Sequence, residues 1–89
     1  MRFTHYDLGP LAAGDVVQVH LNGNAANVKL MDGPNFTNYR QGRGHRYVGG
    51  LAERRLTRLA VAHSGHWHLT VDLNGLVGTT HSSVDVVRN

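Results

Sequence analysis

Two histidines, His66 and His68, flank the only tryptophan of the chain, Trp67. On an extended backbone rising ~3.3 Å per residue their side chains share one face about 6.6 Å apart. That spacing suits zinc, nickel or copper once a third ligand stands opposite. Asn74-Gly75 offers a way to supply it, because both residue types accept positive φ and favour a two-residue hairpin. Such a hairpin pairs Leu73 with Leu76, His68 with His81 and His66 with Ser83, so three imidazoles converge on the outer face. The sequence therefore offers His66, His68 and His81 as a candidate metal site. Asp72 lies on the same face, where it would accept a hydrogen bond from a ligating imidazole. The plainer alternative is a solvated row of strand histidines beside the β-formers Thr70 and Thr79, on a sheet face without a concave pocket.

A second cluster is basic. Arg40, Arg43 and Arg46 surround Gly42 and Gly44, and Arg54, Arg55 and Arg58 follow. Glycine lets backbone amides approach an anion, arginine supplies forked donors, and Tyr39 or Tyr47 can stack on a base. This marks Arg40, Arg43 and Arg46 as anion-binding candidates. Against a nucleic-acid role stand a net charge of only +3 and the interruptions by Asp32 and Glu53. No Walker loop or RNA-recognition motif is present. A solvated basic loop is the simpler expectation.

The elements that carry these residues are extended. From His66 to Leu73, Trp67, Leu69, Val71 and Leu73 alternate with His66, His68, Thr70 and Asp72, the pattern of a half-buried strand with Trp67 facing the core. Val17, Val19 and Leu21 alternate in the same way, Asn22-Gly23 signals a hairpin, and Ala26 to Met31 resumes the pattern. Pro34 can open a short helical turn in which Phe36 and Tyr39, three apart, face the core together. Phe3 to Tyr6, His45 to Val48, Arg58 to Val61 and Gly78 to Val87 read as further strands, whereas periodicity leaves Leu51 to Leu56 undecided. Turn signals recur roughly every ten residues. The expected fold is all-β: an antiparallel β-sandwich, jelly-roll-like, of six to eight short strands in a single domain over residues 1–89, with at most one short helical turn.

Composition narrows the chemistry. The chain has 89 residues, 40% of them apolar and 17% charged, which fits one small globular core. Cysteine is absent, which excludes disulfides, thiol nucleophiles and cysteine-based zinc sites. Eight of the nine basic residues are arginine, and seven histidines make the charge sensitive to mild acid. No run of residues has the apolar length of a membrane span, and the first residues lack the apolar stretch of a signal peptide, so the cytoplasm is the expected location.

Across nearly the whole chain the sequence resembles a small bacterial domain of unknown function, number eighteen-eighty-three of that series. The resemblance is carried by Phe3-Thr4-His5-Tyr6-Asp7-Leu8, by Asn35-Phe36-Thr37-Asn38-Tyr39, by the pair Gly49-Gly50, and by Gly65-His66-Trp67 with Asp72. It implies an all-β domain found alone or beside TIR domains, and it brings no catalytic residues and no cofactor. The expectation is a non-enzymatic module that binds a protein partner or self-associates as a homodimer, with nucleic acid disfavoured and no membrane role. The rival is the metal site or the arginine loop.

Overall fold

The computed structural model describes residues 2–89. In chain order it forms β1 (Thr4–Leu11), β2 (Val16–Gly23), β3 (Ala26–Asp32), α1 (Gly33–Arg40), β4 (Val48–Ala52), β5 (Leu56–Ala60), β6 (Gly65–Asp72) and β7 (Thr80–Val87). Two antiparallel sheets face each other, one in the order β1-β6-β3-β4 and the other β5-β2-β7. The all-β sandwich is thus as expected, with seven strands and one helix of eight residues.

Alternation sets the layers. Val17, Val19 and Leu21 from β2 meet Val28 and Leu30 from β3 and Trp67, Leu69 and Val71 from β6 in one shared core. Trp67 is 4% exposed, and its indole N–H donates to the His63 carbonyl at 2.9 Å. A buried aromatic with its one polar atom satisfied loses nothing to desolvation, which suits Trp67 to the core. The phenol of Tyr6 crosses the sandwich to donate to the Ser82 carbonyl on β7 at 2.8 Å.

Neither Asn-Gly pair makes a hairpin. β2 pairs with β5 and β7, and β3 with β4 and β6, so the chain changes sheet at Asn22–Asn24 and again after Asn74. The physical reason is that the turn residues fix only local φ and ψ, while the partner of each strand is chosen by where its apolar face is buried. Gly23, at φ 120°, lies so close to β7 that a Cβ there would sit 2.6 Å from the Thr79 carbonyl oxygen. Asn24 holds that corner, donating its N–H to Thr79 and accepting from the Thr79 N–H. At the second corner, Leu76 N–H closes a tight turn on the Leu73 carbonyl, but strand structure resumes only at Thr80.

The outer face of the β1-β6-β3-β4 sheet is half-covered by α1. Asp32 caps this helix, accepting from the Asn35 N–H at 3.2 Å, and Pro34 occupies its first turn, where a missing N–H costs nothing. Phe36 and Tyr39 turn together toward the sheet, where with Met31 they form a second, smaller apolar cluster. The short strand expected at His45 to Val48 begins instead at Val48 and runs to Ala52, which resolves the start of the undecided segment as strand.

Candidate metal centre

β6 puts His66, His68, Thr70 and Asp72 on the outer face, as the alternation requires. Register then decides what they meet. In β1, His5 lies opposite Thr70 and Asp7 opposite His68, but between Asp7 and Gly9 the pairing slips by one residue. Leu8 is the extra residue of a β-bulge, and Gly9 adopts φ 69°, a left-handed conformation that glycine reaches without strain. The Gly9 N–H donates to Asp7 Oδ1 at 3.0 Å, fixing the carboxylate over the ladder. The bulge also keeps Leu11 in the core while Asp7 stays outside.

The result is a cluster of ligand atoms. His66 Nε2 donates to Asp7 Oδ1 at 2.5 Å, and one ligand atom each from Asp7, His66 and His68 lie within 4.8 Å of one another. His5 Nε2 shares a hydrogen bond of 2.8 Å with His68 Nδ1, which places a fourth nitrogen donor beside His68. Phe36 roofs the pair: its ring stacks on His5 at 4.2 Å and on His68 at 4.4 Å between centroids. The two imidazole centroids are only 5.0 Å apart, too close to lie on opposite faces of that ring. One side of the site is therefore apolar and the other open to solvent.

Electrostatics favours the ligating forms. Partial burial, reinforced by the neighbouring imidazoles of His5 and His66, holds His68 below the ordinary histidine range despite the attraction of Asp7. The Gly9 N–H and the His66 hydrogen bond hold the Asp7 carboxyl below its usual range. A neutral imidazole beside an ionised carboxylate is the donor set that divalent ions require.

His81 does not join this set. It lies on β7 opposite Asn22, on the outer face of the other sheet, because β6 is flanked by β1 and β3 and never meets β7. Asp72 is on the expected face but accepts from other partners than an imidazole. It is buried beneath α1, where Tyr39 donates to Oδ2 at 2.5 Å and the Asn27 amide and the Asn74 N–H donate to Oδ1 at 2.8 and 3.0 Å. Burial alone would raise this carboxyl, but the Tyr39, Asn27 and Asn74 donors outweigh it and hold it low. Burial and the adjacent Asp72 push the Tyr39 hydroxyl far up in turn. This network anchors the helix to the sheet and leaves Asp72 no role beside the histidines.

The arginines are strung along α1 from its last residue back to its first turn. Arg40, the last helical residue, stands 5.6 Å over the Phe36 ring, Arg43 binds the Asn38 carbonyl through its backbone, and the Arg46 N–H donates to Asn35 Oδ1. Among the described residues none of the three guanidinium groups is paired with a carboxylate. Asp7 and His5, which complete the histidine cluster, went unmarked in the sequence. The one local signal was Asp7-Leu8-Gly9, an acid two residues before a glycine.

The comparisons give a family and no named activity. Neither a search of curated proteins nor a search of solved structures found a match. A family model described as Domain of unknown function (DUF1883) matches residues 1–89. With the match spanning its whole length, the chain belongs to that family.

Proposed function

We propose that the domain binds a divalent transition metal through Asp7, His66 and His68, with His5 as the fourth donor. The observation that carries this is the convergence of the three ligand atoms within 4.8 Å on adjacent strands. At metal–ligand bonds of about 2.0–2.1 Å, neighbouring tetrahedral ligands stand about 3.4 Å apart. The side chains of His66 and Asp7, 53% and 57% exposed, have room to adjust toward that spacing. Two imidazoles and a carboxylate form a borderline set suited to zinc, and an added imidazole completes four-coordination. The test is dialysis of the purified protein against zinc followed by elemental analysis. One equivalent retained supports the reading; none retained, or the same amount retained by His66→Ala, refutes it.

Self-association is the second reading, and β7 favours it. Among the described residues this eight-residue strand pairs only with β2 and leaves its other edge unpaired, and it contains neither proline nor glycine. Unpaired, regular edges of this length are templates for strand addition by a second copy. Native mass measurement distinguishes a dimer from a monomer, and replacing Val84 with proline should abolish a dimer built this way.

A further inference from the structure

We infer that a groove at one end of the sandwich binds a planar aromatic anion. The groove encloses about 420 Å³ where the end of β3, the start of β4 and the connection before β6 meet. That volume is within the ~300–1,000 Å³ typical of small-molecule sites. Its walls combine the aromatic and apolar surface of Tyr47, Val48 and Trp67 with the polar groups of Arg46, His63 and Asp32.

The charge on these walls decides the sign of the ligand. Asp32 is already committed: Oδ1 accepts from the Asn35 N–H and side-chain amide, and Oδ2 faces His63 Nε2 at 3.5 Å. Arg46 is exposed, lines the groove and has no carboxylate partner among the described residues, which leaves its guanidinium donors available to a ligand. Lys29, the only lysine, adds positive charge behind the wall, with Nζ 4.5 Å from the Tyr47 ring centroid. With the acceptors of Asp32 engaged, the unpaired charge at the groove is the Arg46 cation, which favours an anion.

The aromatic surfaces decide its shape. Tyr47 is 44% exposed, so its ring is accessible to a flat partner. The cation beside it and the neighbouring His45 ring, 5.4 Å away, hold its orientation. The Trp67 indole N–H is spent on the His63 carbonyl, so Trp67 contributes apolar wall rather than a donor. A ring stacked on Tyr47 with its carboxylate or phosphate on Arg46 satisfies both demands. The groove is formed by different residues from those proposed to hold metal, and the inference stands independently of that reading.

Titration with 2-naphthoate, followed by the indole N–H resonance of the single tryptophan, tests it. A saturable shift of that resonance and of the Tyr47 amide is expected, with the neutral analogue 2-naphthylmethanol binding at least fivefold more weakly. In Arg46→Gln that preference should vanish while the remaining resonances stay in place, and in His66→Ala it should persist. No saturable shift, equal binding of the two compounds, or an unchanged preference in Arg46→Gln would overturn the inference.

Discussion

His66 Nε2 and Asp7 Oδ1 are 2.5 Å apart although they are not register partners: His66 lies opposite Pro10, and Asp7 opposite His68. The bulge at Leu8 makes the diagonal contact. It re-aims Asp7 along the strand axis and turns a row of surface histidines into a cluster with a carboxylate.

Gly9 should therefore matter to both stability and the site. At φ 69° a Cβ meets no neighbour, so the penalty of Gly9→Ala is conformational, about 1–3 kcal/mol. Thermal unfolding should show the loss. Zinc affinity should also fall, because the Gly9 N–H that orients Asp7 shifts with the backbone.

Asp72 should govern the acid limb of stability. Its folded carboxyl titrates below the ordinary 3.8, so the folded state binds fewer protons than the unfolded state as pH falls. The stabilisation is complete above that ordinary value and is lost as pH falls through the lower, folded one. Asp72→Asn should cost about 1–3 kcal/mol at neutral pH, where Asn cannot accept the same donors as well. Urea denaturation from pH 7 to 3 should show a flatter acid limb for the variant than for the wild type.

Trp67→Ala should cost about 3–5 kcal/mol, since it leaves a large cavity in the core shared by both sheets. In so small a domain that is a major part of the stability, and chemical denaturation should place the midpoint far below that of the wild type.

Thr70 offers the opposite sign. Its hydroxyl is buried beneath α1, near the Tyr39 hydroxyl but without a well-formed hydrogen bond, so an isosteric apolar residue removes a desolvation penalty. Thr70→Val should raise stability by up to about 1 kcal/mol in the same assay.

Faces were legible in the sequence, and partners were not. The alternation of Trp67, Leu69 and Val71 with His66, His68 and Thr70 identified the core side of β6, because burial imposes a period of two on any strand. Phe36 and Tyr39 fell on one side of α1 for the same reason at helical spacing. Pairing is a property of the whole sandwich. Asn74-Gly75 has the composition of a hairpin, yet the residues after it cross to the other sheet, which carried His81 away from His68. The bulge was likewise invisible, because a one-residue slip leaves no compositional mark beyond a glycine. Asp7 and His5 could be assigned to the site only once β1 was known to border β6.

Isothermal titration of zinc into the wild type, Asp7→Ala, His68→Ala and His81→Ala tests the central claim most directly. One site is expected in the wild type and in His81→Ala, with affinity reduced by at least about tenfold in Asp7→Ala and His68→Ala while all four proteins remain folded by circular dichroism. Absence of binding in the wild type, or binding that survives Asp7→Ala and His68→Ala but is lost in His81→Ala, would contradict it.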